Sequence, residues 1–415
     1  MTDSNETDKI ERQYTDFPYP APIEDIPDHI SRGYAQGSSP DKLWPKLFPE
    51  KSYKDNLRVL IAGCGTNQAV YHALKFPNSY HYAIDISEKS LEHVAKSIKK
   101  YNIENLEIDK KDITDLTNQD EFDYVISTGV IHHTENPQNS LNKLVQATKQ
   151  DGALFIMIYA SYLRVGIYYL QDAFRYLGLK PNKEDIEIAG KLIDLSPKNH
   201  YAHNYIEAIE KSTGTRDLTF DSGFIDTFFN ARDRAYDIFE LKELIEASGA
   251  YFQCWLDNSF YYRSLFNFSS QSPVYHSFNS LNPWELADFT QKMSPNSGKL
   301  AFTLRKEKQH EHKYFNILDV TPETYVHPYL LGDIEKPDFS SQSGGVIGTK
   351  NLRVKLNIRE RIVWDNLGQK LKDILDKSKA EISEKKIDQD LSFDFLREMV
   401  HKYWKNGYIN FSEAE

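Results

Sequence analysis

Cysteine is almost missing from this chain: Cys64 and Cys254 are the two among 415 residues. Two thiols build neither a disulfide framework nor a cysteine-rich zinc site. Long apolar runs are lacking as well. No stretch approaches the roughly 20 residues that span a bilayer, and the polar start Met1–Glu6 does not read as a secretory signal. A cytoplasmic protein with no membrane partner is expected. Basic residues are the minority charge, 50 Lys and Arg against 61 Asp and Glu, for a net charge of −11. A general nucleic-acid binder needs a basic face, so nucleic acid is not the expected partner, although a local basic groove stays open. The pair His132–His133 has no supporting acid–histidine cluster in the sequence, and no metal is expected.

What is present is a soluble-enzyme composition, 40% apolar and 27% charged, at a length that suggests two or three domains. Residues 59–67 read Val-Leu-Ile-Ala-Gly-Cys-Gly-Thr-Asn, an apolar run that breaks into a glycine turn and opens a helix at Asn67-Gln68-Ala69-Val70. Gly63 and Gly65 supply backbone without Cβ, so a ligand can approach the main chain and the amides of the next helix. Asp85 ends a second strand, Tyr82–Asp85, about 20 residues on, where such folds place a carboxylate for a ribose hydroxyl. A dinucleotide reading would need a third glycine at position 68, and Gln68 stands there, which disfavours a nicotinamide or flavin site.

Three further segments recur at strand spacing: Leu106–Ile108 followed by Asp112-Ile113-Thr114, then Phe122–Ser127, then Ala153–Tyr159. With the loop glycines, Asp85, Asp112 and the Ser-Thr-Gly-Val-Ile-His-His segment at 127–133, the chain resembles class I S-adenosylmethionine-dependent methyltransferases over roughly residues 55–305. The resemblance implies that Gly63, Cys64 and Gly65 face the methionine part of the cofactor. It further implies that Asp85 takes both ribose hydroxyls, that Asp112 and Ile113 hold the adenine, and that Ser127 and Gly129 lie under the sulfonium. Ala62 and Ile86 complete the implied cofactor set. Two positions depart from the family: Ile61 stands where an acid is frequent, and Asn67 where a third glycine is. The cofactor's amino group is then left to carbonyls or to Asn67 and Gln68.

The first 54 residues precede this core as an extension. Tyr14–Pro22 carries prolines at 18, 20 and 22 and reads as extended chain laying its rings on something. Similar Tyr-x-x-x-Pro-Tyr-Pro segments precede the cofactor domain in a group of bacterial methyltransferases, where they resemble a strap over the site. Either Tyr14, Phe17 or Tyr19 covers cofactor or substrate, or the strap only fills a groove. In the core, Ser87 caps a helix with Leu91, Val94 and Ile98 on one face, and Asn136-Pro137 starts another that ends at Asp151-Gly152. A helix over 240–249 leads to two closing strands, 251–255 and 300–304, the last antiparallel.

Residues 160–239 exceed what a minimal core needs and read as a helical lid, with a second insertion over 259–298 that adds Tyr261, Tyr262, Phe266, Phe268 and Trp284. Tyr162–Leu177 is expected to be helical. Tyr162, Arg164, Arg232, Arg234 and Tyr236 are substrate-binding candidates beside Tyr14 and Tyr19. Arg232 and Arg234 have the chemistry to clamp a carboxylate or phosphate, and Asp233 to receive a cation or proton; the alternative is that they pair with one another and pin the lid. Methyl transfer is an in-line displacement in which positioning supplies most of the catalysis. A base is needed only for a nucleophile that arrives protonated; His132, His133, Tyr159 and Asp233 are the catalytic candidates.

The polar run 305–313 marks a boundary, and 314–415 reads as a small accessory domain with apolar residues at helical spacing over 357–377 and 393–404 and a strand over 408–411. It loosely resembles the winged-helix-like tail of bacterial methyltransferases that include outer-membrane-protein lysine methyltransferases. An oligomerisation module, serving a homodimer, or a lid support is the alternative. The fold class expected is α/β: a doubly wound, seven-stranded Rossmann-like sheet over 55–306 with a helical lid, an N-terminal strap and a C-terminal domain. The function expected is S-adenosylmethionine-dependent transfer of a methyl group to a small-molecule nucleophile, N, O, S or C. A protein lysine methyltransferase is the second reading, a cofactor-binding regulator without turnover the third.

Overall fold

The structure, a computed structural model, describes residues 4–32, 37–213, 221–262, 273, 277–278, 280–295, 297–329, 343–349, 352–387 and 390–415. The chain gathers into two compact units. The first takes the chain through Ser39, Lys54–Phe252 and Gln291–Lys308; the second takes Pro40–Tyr53, Gln253–Thr290 and Gln309–Glu415. Among the described residues, no helix is long and apolar enough to cross a membrane.

The chain enters through helices α1 (Ser4–Asp16) and α2 (Ile26–Ser31), and α3 (Pro40–Leu47) follows. A seven-stranded sheet is built from β1 (Arg58–Ala62), β2 (Tyr80–Asp85), β3 (Leu106–Lys110), β4 (Phe122–Thr128), β5 (Thr148–Tyr159), β6 (Tyr251–Trp255) and β7 (Lys299–Arg305), in the order β3-β2-β1-β4-β5-β7-β6. β1 to β5 pair in parallel and β7 lies antiparallel on β5, with Ala153 opposite Arg305 and Tyr159 opposite Lys299. Strands of a parallel sheet are covered on both faces and read as unbroken apolar runs; Val59–Ala62 and Tyr124–Ile126 are accordingly buried throughout. The chain winds outward from β1 through β3 and returns to β4 beside β1. That reversal opens a crevice at the carboxyl ends of β1 and β4, where such sheets bind ligands.

Crossover helices α4 (Gln68–Lys75), α5 (Glu88–Tyr101) and α6 (Pro137–Ala147) join these strands. In α5 the Ser87 side chain accepts from Ser90 N, Leu91 and Val94 are buried, and Asn102 closes the helix in the left-handed conformation. α6 starts as expected at Asn136-Pro137 but ends at Ala147, four residues short of Asp151. Thr148 stops it: its hydroxyl donates to the Leu144 carbonyl, and β5 begins there with an irregular register opposite Phe122–Tyr124.

The strap also differs from the expected extended chain. Tyr14 lies in the last turn of α1, and the extended segment begins only after Asp16. The prolines at 18, 20 and 22 forbid helix from Phe17 onward and say nothing of the residues before it.

The lid consists of α7 (Ser161–Tyr176), α8 (Lys183–Leu195), α9 (Tyr201–Thr213) and α10 (Asp221–Phe228), followed by α11 (Ile238–Ala247). Leu163, Ile167, Leu170 and Phe174 recur along one face of α7 and pack with Ile193, Tyr205, Phe224 and Phe228. Gly166 permits the crossing of α7 and α9, since a Cβ there would stand 2.1 Å from the Ala202 nitrogen.

In the second unit, strand Tyr325–Pro328 is the centre of a three-stranded antiparallel sheet between Gln369–Lys370 and Ile409–Ser412, and Ser343–Thr349 forms a ribbon with Leu352–Asn357. The helical pattern over 357–377 is split into helices Ile358–Asp365 and Leu371–Glu384, because Gly368, at φ +94°, breaks the chain into a short strand between them. Helix Phe393–Lys405 precedes the last strand. Of the rings in the second insertion, Tyr261 stacks on Trp255 with centroids 3.8 Å apart and Trp284 meets His312 edge-on, while Phe266 and Phe268 lie outside the described residues.

Candidate active site

The first turn after β1 is held by backbone. The Gly63 and Cys64 N–H groups both donate to the Ile84 carbonyl, at 2.8 and 3.1 Å. Gly63 and Gly65 take φ of +74° and +55°, and a Cβ on Gly63 would stand 2.3 Å from Val130 Cγ2, so glycine is required there. Asp85 at the end of β2 ties the loop: Oδ2 accepts from Gly65 N and Oδ1 from Ser87 N, both at 2.8 Å. Burial pushes its carboxyl upward, and the donated backbone N–H groups oppose that shift. Asp112 accepts from the Thr114 N–H and hydroxyl, both at 2.7 Å, which fixes the turn carrying buried Ile113. Cys64 is buried, and burial, then Asp85, raises its thiol well above the ordinary range. It is held as a thiol, not as a nucleophile.

Ser127 at the end of β4 is fully buried and its hydroxyl has no partner. Gly129 beside it takes φ +75° and donates its N–H to the Met157 carbonyl. An orphaned hydroxyl, left-handed glycines at 63, 65 and 129, and a carboxylate at Asp85 thus gather at the carboxyl ends of β1, β2 and β4. This set fits an adenosyl group with ribose hydroxyls and an amino-acid tail.

The strap crosses this loop. The Thr66 hydroxyl donates to the Pro20 carbonyl at 2.7 Å, Asn67 Nδ2 donates to the Ala21 carbonyl at 3.0 Å, and Ile23 N–H donates to Asn67 Oδ1 at 2.9 Å. A Cβ on Gly65 would stand 2.9 Å from the Tyr19 carbonyl oxygen. The Asn67 amide is therefore engaged at both ends by the strap. Gln68 Nε2 is engaged with the Ser38 and Thr128 hydroxyls, at 3.0 and 3.1 Å. Both residues sit at the loop, where they fasten what covers it.

Beyond the end of β5 lies a second polar cluster, drawn from three elements. The Tyr14 hydroxyl donates to Asp226 Oδ1 at 2.8 Å and the Tyr159 hydroxyl to Asp226 Oδ2 at 2.7 Å; Asn230 Nδ2 stands 3.2 Å from Oδ1. Desolvation, then the Asp226 charge, lifts both phenols well above their ordinary value, so they remain donors. His132 is fully buried with its ring 4.0 Å from those of Tyr159 and His133, and neither of its nitrogens has a partner. Burial, with His133 and Arg164 nearby, pushes it well below the usual histidine range and keeps it neutral. His133 Nδ1 donates to the Arg232 carbonyl at 2.6 Å.

The charged candidates of the lid divide. Arg164 and Asp233 form an ion pair out of contact with solvent. Arg164 also donates to the Tyr205 hydroxyl at 3.0 Å and lies over the Tyr159 ring at 3.9 Å. Asp233 also accepts from Gln171 Nε2 at 3.2 Å and from the Tyr168 hydroxyl at 3.4 Å. Asp233 is thus engaged inside the lid, and its partner is Arg164 where the sequence suggested Arg232 or Arg234. Arg234 is more than half exposed, over the Tyr236 ring and 3.6 Å from Glu240. The Tyr162 hydroxyl accepts from Ile238 N–H at 2.8 Å. Sequence reasoning missed Thr66, Gln171, Tyr205, Asp226 and Asn230. Asp226 alone carried a signal, an acid inside the aromatic run Phe224-Ile225-Asp226-Thr227-Phe228-Phe229.

Fold and loop define a Rossmann-like domain with a carboxylate, Asp85, tied to the glycine loop at the end of β2. Residues 53–197 match the family described as a methyltransferase domain. An uncharacterized protein of Synechococcus sp. is 25% identical over 72% of this chain and 71% of its own length. The (S)-coclaurine N-methyltransferase of Thalictrum flavum is 31% identical over 27% of the chain, and the probable (S)-tetrahydroprotoberberine N-methyltransferase 2 of Papaver bracteatum 28% over 27%; the chain spans about a third of the length of these plant enzymes. Among solved structures, PKMT2 from Rickettsia typhi, in complex with AdoHcy, superposes with a TM-score of 0.64 over 91% of this chain and 76% of its own, at 15% identity, a likeness of fold. Residues 53–197 thus carry a methyltransferase-domain match, on a fold like that of the AdoHcy-bound PKMT2.

Proposed function

We propose that the protein transfers the methyl group of S-adenosylmethionine to a small nucleophile enclosed between the strap and the lid. One observation carries this reading: Tyr14 of α1, Asp226 of α10 and Tyr159 of β5 meet in one hydrogen-bonded cluster beside a histidine sealed from solvent. An acceptor bound there is surrounded, which suits a small molecule. Gly63, Gly65, Asp85, Asp112, Ile113, Ser127 and Gly129 hold the cofactor, and the strap fastened by Thr66 and Asn67 excludes water above it. With donor and acceptor held in line, the residues act by positioning and desolvation. The scarcity of cysteine fits a reducing, cytoplasmic setting.

A protein acceptor is the second reading. It is favoured by the likeness to PKMT2, which extends over 91% of the chain and so takes in the second unit. Labelled S-adenosylmethionine incubated with the enzyme and, separately, a metabolite pool and a protein extract tests both. Label in the metabolite pool is expected. Label confined to protein would replace the first reading with the second, and binding of AdoHcy without any transfer would favour a regulator.

A further inference from the structure

The cluster around Asp226 has an unbalanced charge. Asp226 is 4% exposed, and among the described residues no Lys or Arg pairs with it. The buried guanidinium nearby, Arg164, is already matched by Asp233. A buried carboxylate is costly unless it is hydrogen-bonded and paired. Its hydrogen bonds are also incomplete. A carboxylate offers about four lone-pair sites; Oδ1 takes Tyr14 and Asn230, whereas Oδ2 takes Tyr159. Beside Tyr159 stands His132, fully buried and unpartnered at both nitrogens, a second polar group left for something to meet. The surrounding surface is aromatic, with Tyr14, Tyr159 and His133 in the same cluster.

We propose that Asp226, held between the Tyr14 and Tyr159 hydroxyls, anchors the nitrogen of the methyl acceptor, and that the acceptor is an aliphatic amine. The inference rests on the methyltransferase reading above and narrows its acceptor. An anionic acceptor would meet Asp226 with like charge in a dry site. A neutral amine meets Oδ2 with an N–H donor and the aromatic faces with the charge it develops. An aliphatic amine is mostly ammonium near neutral pH, so the bound cation first gives up one proton to solvent, and the neutral amine is the nucleophile. The nitrogen lone pair forms the new C–N bond as the C–S bond breaks; sulfur keeps that electron pair and becomes a thioether, and the positive charge passes to nitrogen. A carboxylate fixed beside that nitrogen stabilises the charge as it arrives. Tyr14 and Tyr159 are positioning residues that hold the carboxylate. His132, neutral, accepts a second N–H.

Two measurements test this. Product from labelled S-adenosylmethionine and a metabolite pool is fractionated on cation exchanger and hydrolysed in acid. Separately, n-butylammonium and butyrate are titrated calorimetrically into AdoHcy-saturated protein. Label in acid-stable N-methyl groups, and saturable heat with the cation alone, are expected. Asp226→Asn should lose on the order of 100-fold in turnover and lose the cation heat while AdoHcy affinity stays within about threefold, which also shows that the variant folds. Tyr159→Phe should lose less. Label in esters, ethers or thioethers, saturable butyrate binding, no saturable heat with the cation, or cation binding that survives Asp226→Asn would overturn the proposal while leaving the methyltransferase reading intact. Failure of the wild type to bind AdoHcy would overturn both.

Discussion

The hydroxyl of Tyr14 donates to Asp226 Oδ1 at 2.8 Å across 212 residues of sequence. That bond ties the N-terminal helix to the lid, and the strap between Tyr14 and Ile23 is fastened at its other end to Thr66 and Asn67. The strap therefore lies against the glycine loop, with the Tyr19 carbonyl over Gly65.

Tyr14→Phe removes one end of this fastening and keeps the ring. A hydrogen bond to a charged group is worth about 1.5–3 kcal/mol, so AdoHcy should dissociate roughly 10-fold faster or more, with a modest loss of stability. Stopped-flow displacement of AdoHcy measures the rate. Unchanged dissociation in both Tyr14→Phe and Asn67→Ala would show that the strap is not a gate.

Asp85 has two roles in the geometry, tying the loop through Gly65 N and Ser87 N and presenting a carboxylate at the end of β2. Asp85→Ala should abolish calorimetric binding of S-adenosylmethionine. Asp85→Asn keeps one acceptor oxygen for one of the two N–H groups and turns an amide donor against the other; it should lose at least about 10-fold in affinity. Wild-type affinity in Asp85→Ala would remove this residue from the cofactor site.

Arg164 and Asp233 are both sealed in the lid. Breaking a buried pair from one side costs about 3–5 kcal/mol, because the remaining charge is left uncompensated, whereas apolar replacement of both partners is often neutral. Arg164→Met and Asp233→Leu should each lower the calorimetric melting temperature sharply, and the double variant should recover much of the loss. If the double variant melts like wild type yet has no activity while binding AdoHcy, Asp233 acts in the chemistry instead of in the fold.

The sheet was legible because its strands are buried on both faces, so Val59–Ala62 and Tyr124–Ile126 stand out as apolar runs, and because Gly63, Gly65 and Asp85 answer to local backbone needs. The cluster around Asp226 was only half legible. Tyr14, Tyr159 and His132 stood out as residue types, but nothing local says that they meet Asp226, which depends on how α1 and α10 return over the sheet. Helix ends failed where one side chain decided them, as Thr148 does for α6. Asn67 read as a cofactor ligand because a loop position shows proximity to the site and not which neighbour takes its amide.

Acid should destabilise this protein from the histidines inward. Burial holds His81 down at about 4, burial with Lys405 nearby holds His401 at about 4, and burial pushes His72 and His132 well below the histidine range. In the unfolded chain these rings titrate near 6.5. Between that value and the folded one, the unfolded state binds protons that the folded state refuses, so stability rises with pH through this window. The contribution is complete above about pH 6.5 and is lost progressively as pH falls toward 4. For a ring held at about 4, the loss between pH 8 and pH 5 is about 2 kcal/mol. Urea midpoints at pH 8, 6 and 5 measure it. His81→Gln, which cannot titrate, should lose about 2 kcal/mol less than wild type between pH 8 and pH 5, and an equal loss in both would show that His81 is protonated within the fold.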